Sequence, residues 1–252
     1  MMPRCRTALR AFLLALAGAA IANPSAAQAL PDARSLLDRY VHETGGMAMR
    51  ELQSIRTAGT FNLPAMGAAG DLEMIQARPN LITMKVTIPG LGEIRSGFDG
   101  STGWTLNPME GPRLLSGGEL TQIRDDAAFD SSLRDASLVA SMETVEKTQA
   151  AGRDCYKVKM TWKSGRETFD CFDAENGLLV ATWLTAETAM GAVESTVLYG
   201  EYKQFGAVRL PTRTTQQVMG QEFVIIVTNV DFTAVDKAAF TPPAEIQALI
   251  RK

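Results

Sequence analysis

The chain has 252 residues, 46% hydrophobic, 21% charged and 7% aromatic, which is ordinary globular composition and excludes collagen-like, low-complexity and fully disordered chains. Its formal charge is −3, and no run of Lys or Arg supplies the basic face that neutralising phosphates requires. A nucleic-acid partner is therefore not expected.

The first segment points to secretion. Arg4, Arg6 and Arg10 precede an uncharged apolar run from Ala11 to Ala22, and small residues follow to Ala27-Gln28-Ala29, an A-x-A cleavage pattern. Residues 1–29 read as a secretory signal peptide cut before Leu30. A retained signal anchor is the alternative, but the run is well short of the roughly 20 residues that span a bilayer. Cys5 stands before the apolar run, so it cannot be the lipid-modified cysteine of a lipoprotein. Residues 30–252 are then expected to be a single secreted domain, with 22 Lys and Arg against 28 Asp and Glu.

Beyond Asp32, the residues Ala33, Leu36, Leu37, Tyr40 and Val41 recur at helical spacing, and the helix stops at Gly45-Gly46. The period then switches from 3.6 to 2. Ile82, Met84, Val86 and Ile88 alternate with Thr83, Lys85 and Thr87; Leu72 and Met74 alternate with Asp71 and Glu73; Tyr156, Val158, Met160 and Trp162 alternate with Lys157, Lys159 and Thr161. Turn signals at Asp99-Gly100, Ser164-Gly165, Asn176-Gly177 and Gly220 separate the runs. The candidates are 55–62, 70–77, 81–88, 92–98, 102–106, 143–150, 154–162, 166–173, 178–188, 193–205, 208–218 and 221–232, which after some merging predict ten or eleven strands in a meander that curls toward a barrel. Between Gly117 and Ala140 the alternation lapses, and one or two short helices are expected there. Phe223 to Val227 is apolar on both faces, so this strand is expected to be covered on both, by a helix or by a partner.

Such a sheet is wider than the eight strands whose side chains alone fill a barrel. The helices then serve as lid or plug, and the remaining room suits an apolar ligand. Methionine suits a pocket for flexible hydrocarbon as well as it suits a forgiving core, and ten of the 12 methionines follow the leader.

Cys155 and Cys171 flank the turn at Lys163-Ser164-Gly165-Arg166. A two-residue turn at Ser164-Gly165 would set Cys155 opposite residue 174, so a disulfide needs a longer loop or a bulge; two free thiols are the alternative. No CxxC supports a redox role.

Catalytic signals are sparse. His42 is the single histidine and reads as a solvent-facing helix residue. Asp125-Asp126 reads as a solvated helix face, since neighbours on a helix point about 100° apart. No metal-ligand, nucleophile-elbow, phosphate-loop or dinucleotide pattern occurs, so no enzyme activity, metal or cofactor is expected.

Several phrases resemble the LolA/LolB-like superfamily of periplasmic outer-membrane lipoprotein carriers. They are Gly45-Gly46 with Leu52, Ile55 and Gly59; Phe98-Asp99-Gly100 with Gly103-Trp104; Tyr156 to Met160 with Phe172-Asp173 and Gly177-Leu178-Leu179; Tyr202 and Phe205-Gly206 with Leu210-Pro211; and Phe240 with Pro242-Pro243. The resemblance implies a half-open antiparallel β-barrel whose helices cover an apolar cavity, which in the carriers accepts lipoprotein acyl chains. No segment matches the carriers' lid arginine or their protruding membrane-inserting loop.

The expected function is non-catalytic binding of a lipid or lipoprotein acyl chain, with Leu72, Met74, Ile82, Met84, Val86, Tyr156, Val158, Met160, Trp162 and Ile225 lining the cavity. A sensor or interaction module with a packed interior, docked on a membrane-associated protein, is the alternative.

Overall fold

The computed structural model describes residues 29–189 and 191–251, so the expected signal peptide lies outside the described residues except for Ala29. Asp32 caps the first helix, α1 (Ala33–Glu43), where its carboxylate accepts the Ser35 N–H at 2.9 Å and satisfies an amide that a helix start leaves open. Ala33, Leu36, Leu37 and Tyr40 form one stripe along it, and all four are buried. Gly45 then takes φ +70°, a left-handed bend cheap only for glycine, and the short α2 (Gly46–Glu51) begins.

Six strands come next: β1 (Ser54–Leu63), β2 (Ala68–Ala77), β3 (Leu81–Ile88), β4 (Gly92–Phe98), β5 (Gly103–Asn107) and β6 (Gly111–Leu114). The insert follows, made of α3 (Gly117–Ala127) and a 3-10 turn (Ser131–Leu133). The remaining strands are β7 (Val139–Ala150), β8 (Arg153–Trp162), β9 (Glu167–Asp173), β10 (Leu179–Thr188), β11 (Gly191–Phe205), β12 (Val208–Val218) and β13 (Gln221–Asp231), ahead of α4 (Ala244–Ile250).

All thirteen lie in one antiparallel sheet, ordered β6-β5-β4-β3-β2-β1-β13-β12-β11-β10-β9-β8-β7. The two chain halves fan out from the β1–β13 pair, leaving β6 and β7 as unjoined edges. The sheet is therefore open, and the insert, which leaves β6 and re-enters at β7, crosses its concave face as a lid.

The twelve predicted runs form twelve separate strands without merging, and β6 is the addition. Its Gly-Pro-Arg-Leu sequence has too few residues to alternate and contains Pro112, which an edge strand tolerates. The C-terminal cover is also new: Phe240, 3% exposed, packs on Ile75, Ala77 and Leu81 of the convex face. β13 is apolar on both sides because it lies mid-sheet, with Ile225 and Val227 on the concave face and Val224 buried on the other.

Cys155 and Cys171 form the disulfide. Its register resolves the mismatch seen in sequence. The β8–β9 loop has three residues, 163–165, with Trp162 and Arg166 bonded across it, so Cys155 faces Asp173 while Cys171 faces Lys157. The bridge runs diagonally between them over a Cα–Cα distance of 5.5 Å. Both cysteines are fully buried on the convex face with Ala150, Val180 and Ala181. Closing a loop of this length is worth about 3 kcal/mol in the chain-entropy model. Urea denaturation of Cys155→Ala/Cys171→Ala is expected to show a loss of that size with ligand uptake retained.

Candidate functional site

Two cavities lie side by side between the lid and the concave face. Strand register builds the first. Leu72 sits opposite Val86 and Met74 opposite Met84 on one face of β2 and β3, and Ile225 enters from β13 beside Phe61. Leu72, Met74, Met84 and Ile225 line an apolar cavity of about 300 Å³ together with Ile55, Val227 and Val230, and Met49 and Phe129 enter it from α2 and the lid.

The other predicted lining residues fall elsewhere. Val86, on the same face, is packed with Ile88 and Leu72 beside this cavity and does not line it. Ile82 stands opposite Gln76 and Phe98, off the cavity wall. Tyr156, Val158 and Met160 do share one face, but α1 packs on it: Val158 and Met160 are fully buried in a cluster with Leu36, Leu37 and Tyr40. Trp162, at the end of that row, lines the second cavity instead.

The second cavity, about 420 Å³, has a mixed wall, apolar at Leu133, Leu184, Val197 and Val208 but richer in charged and polar groups than the first. Its wall carries Arg134, Arg166 and Arg209, the tyrosines Tyr40, Tyr199 and Tyr202, and Thr168, Thr182 and Gln216. Met49, Ser131, Ser132, Leu210 and Pro211 belong to both walls, so the two cavities adjoin.

Arg134 ends the lid's 3-10 turn in the left-handed conformation (φ +49°) and reaches down to Asp170, 2.7 Å from Nε to the carboxylate. Asp170 is fully buried on the inward face of β9 and also accepts the Thr182 hydroxyl at 2.7 Å. Burial opposes the Arg134 charge, but the Asp170 carboxylate outweighs it and holds the guanidinium pKa above its usual value. Burial pushes Tyr40 up to about 12 and raises Tyr199 and Tyr202 as well, so all three phenols are neutral at physiological pH.

Further ion pairs fasten the lid. Arg78 of the β2–β3 turn grips Asp130 with two bonds of 2.7 and 2.8 Å and lies over the Phe129 ring. Arg113 of β6 holds Glu119 in the same bidentate way, and Arg50 of α2 holds Asp135. Asp125 and Asp126, expected as a solvated face, both meet Arg166 of the β8–β9 hairpin; Asp125 is only 13% exposed there, while Asp126 stays 49% exposed as a solvated residue. Within α3 only Ala127 is fully buried, and Leu120 and Ile123 lie half-buried against Gly103 of β5, so ion pairs and a short apolar edge together seat this helix.

The sequence reading missed Arg134, Asp170 and Arg209. A single signal was available: Thr168, Asp170 and Phe172 occupy one face of β9, and Phe172 marks that face as inward. His42 is exposed on α1, 3.5 Å from Glu43. Among the described residues no group of three or more His, Cys, Asp or Glu side chains could hold a metal ion, and no helix is long and apolar enough to cross a membrane.

Comparison with known proteins places this architecture. The family model for a domain of unknown function (DUF4412) matches residues 119–246, from the lid to α4. No curated protein matches the sequence. Among solved structures, a LolA superfamily protein from Nitrosomonas europaea superposes with a TM-score of 0.55 at 13% identity, over 84% of this chain and 99% of that one. A DUF1329 family protein from Desulfovibrio piger gives 0.58 at 13% identity, over 84% and 98%. A putative outer membrane lipoprotein-sorting protein domain from Vibrio parahaemolyticus gives 0.53 at 10% identity, over 86% and 98%. These likenesses establish a LolA/LolB-like fold.

Proposed function

The chain belongs to the DUF4412 family, and from its lidded concave face we propose that it is a non-catalytic periplasmic protein that binds the acyl chain of a lipid or lipoprotein. The observation that carries this reading is the apolar cavity of about 300 Å³ walled by Leu72, Met74, Met84 and Ile225. Each methylene moved from water into such a wall contributes about 0.8 kcal/mol, so one hydrocarbon chain can offset the cost of association. An unfilled apolar space at the centre of the concave face favours a bound chain over a packed interaction module. The likeness in fold to the Nitrosomonas LolA superfamily protein and to the putative lipoprotein-sorting domain from Vibrio supports the same reading.

The test is uptake of a fluorescent fatty acid by protein released gently from the periplasm, alongside native mass spectrometry for co-purified lipid. Met84→Trp puts an indole into the cavity and is expected to weaken uptake at least tenfold, about 1.4 kcal/mol, with the circular dichroism spectrum unchanged. Wild-type protein that is always empty and takes up nothing would overturn the proposal.

A further inference from the structure

The apolar cavity adjoins one whose mixed wall carries three arginines, hereafter the polar compartment, and the two share a wall. A hydrocarbon chain in the first would present whatever it carries at its end to the second, across the seam formed by Met49, Ser131, Ser132, Leu210 and Pro211. The polar compartment is the larger, about 420 Å³ against 300 Å³, and each lies near the lower end of the roughly 300–1,000 Å³ that holds one small ligand. The pair therefore fits one chain and one head group.

The charges on the polar wall are unequal. Arg134, Arg166 and Arg209 line it against the single carboxylate of Asp126, and Arg134 is already neutralised from behind by Asp170. Arg166 pairs with Asp126 at 3.0 Å, yet its buried Nε lacks a hydrogen-bond acceptor, the nearest carboxylate oxygen being that of Asp125 at 3.6 Å. Arg209 has no ion pair among the described residues and lies 6.0 Å from the centre of the Tyr202 ring. Its backbone is fixed by the 3.0 Å bond from its N–H to the Thr44 carbonyl, at the turn between α1 and α2. A planar guanidinium without a carboxylate, beside neutral phenols, is suited to a carboxylate or phosphate taken in two-pronged fashion.

We propose that this compartment recognises the anionic head of a single-chain amphiphile, with Arg209 as the principal contact and the tail lying in the adjoining apolar cavity. The shared chemistry is a compact oxyanion on one alkyl chain, either the carboxylate of a fatty acid or the phosphate of a lysolipid. This assignment rests on the acyl-chain reading and narrows it.

Four probes with the same twelve-carbon tail separate the possibilities: dodecanoate, dodecyl phosphate, dodecanol and dodecyltrimethylammonium, each titrated below its micellar concentration against the mature protein. At least one of the two anions is expected to bind tenfold or more tighter than both the alcohol and the cation, and whichever anion wins identifies the head. Arg209→Gln is expected to remove that advantage while leaving dodecanol affinity unchanged, which also serves as the check that the variant is folded. Arg209→Lys, which keeps the charge but not the fork, should retain part of it. If all four probes bind equally, or if Arg209→Gln leaves the anion preference intact, the head-group assignment is wrong and the acyl-chain reading survives. If none of the four binds, both fall together.

Discussion

Asp170→Ala is expected to cost about 3–5 kcal/mol, because it strands the Arg134 guanidinium without its counter-charge in a site that is only 12% exposed. The Thr182 hydroxyl loses its acceptor in the same step. Removing both charges is a different experiment. In Arg134→Met/Asp170→Leu no ion remains to be desolvated, and buried pairs replaced by apolar residues of similar volume are often neutral or better. The double variant should therefore recover most of the loss, and a double-mutant cycle on urea midpoints measures the coupling. If Asp170→Ala costs less than about 1 kcal/mol, the lid is not anchored by this pair.

The same variant should loosen the lid before the sheet. Arg134 projects from the turn that carries Leu133, and Leu133 packs with Met49, Ile55, Phe129 and Val208. The amides of Phe129 and Leu133 donate to the carbonyls of Pro79 and Asp130. Freed from Asp170, that segment should exchange its amides faster than β1 and β13, which pair in the middle of the sheet.

These two residues also show where sequence reasoning runs out. The strands were legible because alternation is a local property: Leu72 with Met74, or Ile82 with Met84 and Val86, declare a face without reference to anything distant. The apolar half of the site follows from that, and Leu72, Met74, Met84 and Ile225 do line one cavity. Alternation cannot say what covers a face. Tyr156, Val158 and Met160 show the same pattern, but α1 is the element laid over them, and they became core. The polar half is non-local throughout. Arg134 and Asp170 lie 36 residues apart and meet only because the insert returns across the concave face to start β7. Asp125 and Asp126 carry no mark in sequence of the hairpin arginine they meet. β6 escaped because four residues including a proline give no period, and α4 because its seven residues are too few for a stripe.

Gly45→Ala is expected to be as damaging as the loss of Asp170, for a reason of space and backbone rather than charge. Gly45 has φ +70°, which costs an alanine about 1–2 kcal/mol by itself. The added Cβ would also stand 2.1 Å from the carbonyl oxygen of Ala207, a backbone atom with no flexible side chain to move aside. The turn must then back away from β12, breaking the Arg209 N–H bond to the Thr44 carbonyl and shifting Met49, which lines both cavities. A total loss of about 3–5 kcal/mol follows, within the range of the few mechanisms that produce large single-residue effects. Gly67→Ala is the control, because Gly67 has φ +58° but nothing within 4 Å of its would-be Cβ, so it should lose only the conformational part. Thermal or urea unfolding of the two variants side by side separates the terms. Equal losses would mean that the contact with Ala207 relaxes freely, in which case the turn does not fix Arg209 and that arginine's position in the polar compartment must be set by its Tyr202 contact instead.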